Sequence, residues 1–397
     1  MLGPGLMVML ADTDAGSIVT AAQSGASWGY RLLPLELALI PVLYVVMELT
    51  VRLGATTGKG HAQAIRERFG PRWAALSVGT LLISATGALV TEFAGVAAVG
   101  GFLGLSPSLT VPLSAAFLLT LVIAGGYRRV ELIGLALGSF ELVFLVAALL
   151  AHPRLHAVTA SFAATQPLGN RSYLTLAAAN LGAVVMPWMV FYQQGAVVDK
   201  GLRAPHIRLA RIDTALGAVI TQLVMAAVLI VTAATLAGHH AGSLRSIGEI
   251  SSALAPYLGV TASKLTFALG IAGASMLAAL VVSLAASWAV AEAAGARRSL
   301  NDHPRGAPLF YVVYAVCVVA GATLVLASRS LVGVAVDVEI LNALLLPVVV
   351  GMLVALAWTT LPRPHQLRTA GRLFSGLVLG LVSIVGLGWV ALSVFPG

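Results

Sequence analysis

The chain has 397 residues, 59% of them hydrophobic and only 10% charged, with a mean hydropathy of +0.97, which excludes a soluble globular domain and describes a polytopic membrane protein. The formal net charge of +8 does not point to nucleic acid, because the basic residues sit in short connections between apolar runs, where membrane orientation is set. A single cysteine, Cys317, lies inside an apolar run, so an intramolecular disulfide and a thiolate metal cluster are both excluded.

Crossing a hydrocarbon core of ~30 Å takes about 20 apolar residues. Eleven runs qualify: segment 1 at 3–28, 2 at 33–53, 3 at 73–101, 4 at 109–126, 5 at 131–151, 6 at 172–198, 7 at 211–237, 8 at 263–294, 9 at 308–327, 10 at 336–358 and 11 at 372–395. Segment 1 runs directly into a polar interruption and shows no basic leader, so no cleavable signal is expected. The stretch 58–69 between segments 2 and 3 puts Ala62, Ile65 and Phe69 on one helical face and reads as a cytoplasmic connector near the interface or an ordinary solvated helix. With the N-terminus cytoplasmic, 17 of the 23 lysines and arginines fall on inward connections. Six, namely Arg31, Arg154, Arg171, Arg245, Lys264 and Arg329, fall outward. This bias predicts an inner-membrane protein with a cytoplasmic N-terminus and an extracytoplasmic C-terminus.

Two segments are interrupted. In segment 1 the run Ala11-Asp12-Thr13-Asp14-Ala15-Gly16-Ser17 places two carboxylates and small polar residues at membrane depth. Each ionisable group there costs roughly 2.5–3.5 kcal/mol and marks an ion or substrate path. In segment 6 the run Gly182-Ala183-Val184-Val185-Met186-Pro187-Trp188 contains a proline that cannot donate its N–H and frees carbonyls of the preceding turn. Interruptions at matching positions of two five-helix halves point to a midplane binding site. The expected organisation is one transmembrane domain over 1–397, with a first half at 1–151, an inverted second half at 172–358 and segment 11 (372–395) appended.

Asp14 through Ser17, continuing to Gly29-Tyr30, resembles the Asp-Pro-Gly-Asn motif of the NRAMP divalent-metal transporters. Ala183-Val184-Val185-Met186-Pro187-Trp188 resembles their Ala-x-x-Met-Pro-His motif. The likeness extends to Leu53 through Lys59, Thr91-Glu92-Phe93-Ala94, Gly126 through Glu131 and Leu346-Pro347. The resemblance implies an all-α fold of the leucine-transporter type, a 5+5 inverted repeat of eleven transmembrane helices with helices 1 and 6 broken at the midplane. The departures are specific. Ala15 and Ser17 replace the family proline and asparagine, Trp188 the histidine after Met-Pro, and Gly95 the second acid of segment 3. Glu339 replaces a segment-10 glutamine, Gln193 stands where a second histidine is frequent, and segment 9 lacks the family's arginines. This pattern resembles the divergent branch of NRAMP-related magnesium transporters.

The resemblance and the residues together nominate Asp14 as anionic anchor and Ser17 as a second oxygen ligand. Backbone carbonyls near Ala15 and Ala183 can complete an oxygen shell. Mg²⁺ sheds water reluctantly and binds through one or two carboxylates, whereas the Met186 thioether favours Mn²⁺ or Fe²⁺. Glu339, with Asn342 three residues on, shares one helical face and reads equally as a pore carboxylate or an outer-rim residue. Trp188, Gln193 and Glu92 complete the candidate set, Glu92 as a packed or paired acid before a ligand. Asp12 reads as an inner-mouth residue before a direct ligand, and Glu48 and Glu141 as polar contacts between helices. All eight histidines, including His61, His239 and His240, lie outside the spans or at their edges, so histidine is missing from the path as a proton carrier.

The expected function is import of a divalent cation, Mg²⁺ and also Mn²⁺, partly hydrated and without proton coupling. The alternative is a proton-coupled Mn²⁺/Fe²⁺ transporter, with an organic-solute carrier on the same fold ranked below it. No H-E-x-x-H, Gly-x-Ser-x-Gly or Cys/His cluster supports an enzyme. No cofactor is expected; the metal is cargo, the bilayer and the ion are the partners, and the transport unit is read as monomeric.

Overall fold

The structure is a computed structural model that describes residues 3–237, 244, 247–252, 255, 259–327 and 332–394. His239, His240, Arg245, Arg329 and the last residue of segment 11 lie outside the described residues. Among the described residues the regular structure is entirely helical. The helices are α1 (Pro4–Asp12), α2 (Ala15–Trp28), α3 (Leu33–Thr57), α4 (His61–Phe69), α5 (Pro71–Phe102), α6 (Pro107–Ala124), α7 (Tyr127–Gly138) and α8 (Val143–Leu150). They continue with α9 (Leu155–Ala163), α10 (Arg171–Val184), α11 (Pro187–Asp199), α12 (Ile207–Thr235), α13 (Ile247–Ser252), α14 (Val260–Ala294), α15 (Pro308–Ala327), α16 (Val332–Thr360) and α17 (Thr369–Val394).

Each of the eleven expected segments has its helix. Segment 1 is α1 plus α2, segment 5 is α7 plus α8 across a 3₁₀ turn, and segment 6 is α10 plus α11. Nine helical runs are long and apolar enough to cross a membrane among the described residues, with Ala15–Thr57 taken as one run and α17 contributing a shorter apolar stretch. Prolines at the first positions of α1, α5, α6 and α11 start helices whose N–H would be unpaired in any case. Gly58 and Gly295 end α3 and α14 in the left-handed conformation that lets a carbonyl-capping turn form. The outward faces carry Leu113, Leu132, Leu149 and Ile384, exposed as a hydrocarbon solvent requires.

The connector helix α4 buries one face and exposes the other: His61, Ala62, Ala64 and Ile65 are buried, while Glu67 and Arg68 are exposed. The backbone N–H groups of Ala62 and Gln63 donate to Glu292 Oε2 of α14 at 3.0 and 3.3 Å, a carboxylate at a helix N-terminus. His61 Nδ1 is 3.0 Å from Gln194 Oε1, and its ring meets Phe191 edge-on at 4.7 Å. Burial pushes the His61 imidazole down to about 4, against the opposing Gln194 hydrogen bond. Thus α4 is a wedge fixed to α11 and α14. A second lock holds α1: the N–H groups of Gly3 and Gly5 donate to Asp213 Oδ2 of α12 at 3.0 and 2.8 Å. Lys200 pairs with Glu131 at 2.7 Å. Glu48 pairs with Arg52 and Arg211, the inter-residue contact expected of it.

Candidate metal site

Each interruption has a local cause. Asp14 is the extended N-cap residue of α2, and its Oδ1 accepts the Ser17 N–H at 2.7 Å, the standard way a carboxylate satisfies a helix start. Its Oδ2 is fully buried and has no hydrogen-bond partner. On the other side, α10 stops at Val184 because Pro187 cannot donate to the carbonyl four residues back. That carbonyl belongs to Ala183, and it accepts instead from Ser17 Oγ at 3.2 Å. The two interruptions therefore touch through the hydroxyl and the orphaned carbonyl.

α16 supplies the third wall. Glu339 is buried, 1% exposed, so it lines the interior and the outer-rim reading is corrected. The reason is backbone proximity: a Cβ on Gly182 would run into the Glu339 carbonyl and come within 2.9 Å of Ala343 N, and only glycine permits that approach. Glu339 Oε2 accepts from Asn342 Nδ2 at 2.9 Å, and Asn342 Oδ1 accepts from Ser84 Oγ of α5 at 2.6 Å. Glu339 Oε1 is left against Gly16, where an added Cβ would collide with it and lie 3.3 Å from Asp14 Oδ1. The Asp14 and Glu339 carboxylates thus flank one glycine, a few ångströms apart.

Glu92 is a paired acid: Oε2 accepts the Ala15 N–H at 3.3 Å and Oε1 the Thr91 hydroxyl at 3.3 Å. Gly95 sits where Ser275 of α14 and the Ala15 methyl leave no room for a side chain, so the missing acid has been replaced by packing. Met186 and Trp188 are fully buried; Met186 N–H donates to Met189 Sδ at 3.4 Å and Trp188 Nε1 has no partner. Gln193 is elsewhere, its Oε1 accepting from Thr50 and its Nε2 donating to Thr214 at 2.9 and 2.7 Å. Asp14, Ser17, Ala15, Ala183, Glu92, Glu339 and Asn342 are brought together, whereas Gln193 ties α3, α11 and α12.

Sequence reasoning missed one group. Ser84 carried no signal, being one serine in an apolar helix. Asp12, read at the inner mouth before a direct ligand, has both carboxylate oxygens buried without partners. Among the described residues no three His, Cys, Asp or Glu side chains form a ready-made metal cage. A bound cation here needs the Ala183 carbonyl, the Ser17 hydroxyl, sulfur or retained water to complete its shell. Acids this deeply buried and this close together are costly without a positive partner.

Two interrupted helices meeting at buried carboxylates inside an eleven-segment bundle define a membrane protein of the leucine-transporter fold class. The chain belongs to the Nramp family: the description "Natural resistance-associated macrophage protein-like" matches residues 5–391. It is similar to the divalent metal cation transporter MntH of Pectobacterium carotovorum subsp. carotovorum (strain PC1), 30% identical over 298 residues that cover 72% of this chain and 70% of the relative. It is 28% identical over 285 residues to MntH of Agrobacterium fabrum, covering 68% of this chain and 61% of that relative; the match spans about three fifths of the relative's length. Among solved structures, the Eremococcus coleocola manganese transporter superposes with a TM-score of 0.82 at 18% identity, over 98% of this chain and 85% of that one. The closed, bromovinylhydantoin-bound nucleobase-cation-symport-1 transporter Mhp1 superposes with a TM-score of 0.60 at 14% identity, over 100% and 94%. At these identities the likeness is one of fold.

Proposed function

We propose that this protein is a divalent-cation importer working by alternating access, taking Mg²⁺, and also Mn²⁺, as a partly hydrated ion without proton coupling. The observation that carries this reading is the free, buried Asp14 Oδ2 beside the Ser17–Ala183 contact, facing Glu339 across Gly16. A hydroxyl at Ser17 is shorter than the amide it replaces, and a second carboxylate at Glu339 suits an ion that keeps part of its water. Relatives named as divalent metal cation transporters support the cargo class. The two halves, 1–151 and 172–358, act as inverted repeats around this site. The N-terminus is cytoplasmic, the C-terminus extracytoplasmic, the membrane is the bacterial inner membrane, and one chain is the transport unit.

Absence of proton coupling is supported by Trp188, by the packing of Gly95 against Ser275, and by a segment 9 helix, α15, with no arginine or histidine. The membrane potential suffices: a divalent ion gains about 4.6 kcal/mol per 100 mV, twice the roughly 2.3 of a single charge. A second reading, proton-coupled Mn²⁺ transport, is favoured by Met186, whose sulfur prefers softer ions, and by the manganese transporter that shares the fold. Reconstituted vesicles distinguish them. Mg²⁺ uptake driven by potential, with no acidification of the lumen, is the expected result. Metal-dependent acidification that tracks uptake, or Mn²⁺ uptake that excess Mg²⁺ leaves untouched, overturns it.

A further inference from the structure

The metal site leaves unused an apolar groove on the outer wall of the bundle, between α3, α10 and α17. It encloses about 230 Å³ and is lined by Leu35 and Leu39 of α3, Leu174 and Leu181 of α10, and Leu381 and Ile384 of α17. Ile384 is 72% exposed, so the groove opens sideways toward the hydrocarbon. A Cβ on Gly388, another lining residue, would meet nothing within 4 Å, so the space continues along α17.

The groove has a basic end. Exposed Arg31 stands four residues before Leu35, and exposed Arg171 three residues before Leu174. Arg171 is thus one turn before Leu174 on the same side of α10, and Arg31 sits in the 3₁₀ turn Gly29–Leu32 that leads into α3. The two turns are joined, since Tyr173 Oη donates to the Arg31 carbonyl at 3.5 Å. Arg31 also donates from Nη1 to the Thr165 carbonyl at 3.3 Å, using one of the five N–H donors of its guanidinium. An apolar slot with two exposed arginines at the starts of its walls matches a molecule with a hydrocarbon tail and an anionic phosphate head.

We propose that this groove binds one anionic phospholipid, an acyl chain lying along α10 and α17 and the headgroup phosphate on Arg31 and Arg171. The lipid occupies the leaflet on the Arg31 side. Its chain lies behind α10, whose last turn carries Gly182 and Ala183 of the metal site. The inference does not depend on which cation is carried.

The test uses the purified full-length chain in detergent, titrated with phosphatidylglycerol or phosphatidylcholine of identical chains and read by native mass spectrometry. Wild-type protein is expected to retain phosphatidylglycerol at least about tenfold more tightly, from roughly fivefold per arginine. Arg31→Gln with Arg171→Gln removes that preference, each single variant removes part of it, and Gly388→Phe, which fills the groove, weakens retention of both lipids. Divalent-ion binding measured on the same samples stays unchanged, which separates this inference from the metal reading and shows that the variants are folded. Equal retention of the two lipids by wild type, a preference that survives the double substitution, or undiminished retention in Gly388→Phe overturns the proposal.

Discussion

The two interruptions are unlike in chemistry although alike in position. The first, between α1 and α2, is polar: Asp14 caps its own helix with one oxygen and keeps the other free. The second, between α10 and α11, is apolar: Val185, Met186 and Pro187 offer no charge, and what the proline releases is the Ala183 carbonyl. One side contributes net charge and the other neutral oxygen and soft sulfur. A site divided in this way can hold a cation against the charged half while the neutral half sets how closely it is gripped.

Removing the charge is the most severe way to break that division. Asp14→Asn keeps the cap, since an amide oxygen still accepts the Ser17 N–H, but deletes the anion. Loss of one partner of a buried charge pair costs about 3–5 kcal/mol, so divalent affinity falls by about 100-fold or more in calorimetric titration. Near-normal binding in this variant removes the central claim for the site. The next effect belongs to the relay on α16. Glu339→Gln is expected to weaken binding roughly 30-fold and Ser84→Ala roughly tenfold, the range typical for groups that orient a ligand. If Ser84→Ala binds as wild type while Glu339→Gln does not, Asn342 orients Glu339 unaided.

Met186 sharpens the neutral half. If its sulfur ligates, Met186→Ala lowers Mn²⁺ affinity roughly tenfold; a hydrated Mg²⁺ held through water is left within about twofold. Equal losses for the two ions place the sulfur in packing alone. The experiment reads the ratio of the two constants, which a general loosening of the bundle does not change.

The helices were legible because bilayer thickness forces long apolar runs, and the basic connections between them gave the segment count. α15 matched its expected ends, Pro308–Ala327. Both interruptions were legible for the same reason, since carboxylates and proline are expensive at that depth. What sequence could not carry is which neutral groups a fold brings across. Ser84 reaches the site only because α5 and α16 pack together, and Gln193, aligned by motif, turns to Thr50 and Thr214 instead. Glu339 was ambiguous because a residue near a helix start reads as rim; the Gly182 contact, invisible in one dimension, draws it inward. The mixed composition of α4 announced a half-buried helix, but not the buried His61 or the carboxylate cap from a distant helix.

That histidine yields the smallest expected effect. His61 stays neutral down to about pH 4 in the folded protein because its pocket excludes water, whereas an unfolded histidine titrates near 6.5. As pH falls from 6.5 toward 4 the unfolded chain takes up a proton that the folded chain refuses, so stability declines across that window and levels off below it. In detergent solution the melting temperature is expected to drop by roughly a few degrees over this range from this group. Acidic residues titrate in part of the same interval, so the informative quantity is a difference. His61→Gln keeps a partner for Gln194 and carries no titrating group, and its melting temperature should fall less than wild type between pH 6.5 and 4.5. Parallel curves for the two proteins mean that α4 loosens before His61 is protonated, and that the wedge is held chiefly by Glu292 on the Ala62 and Gln63 amides.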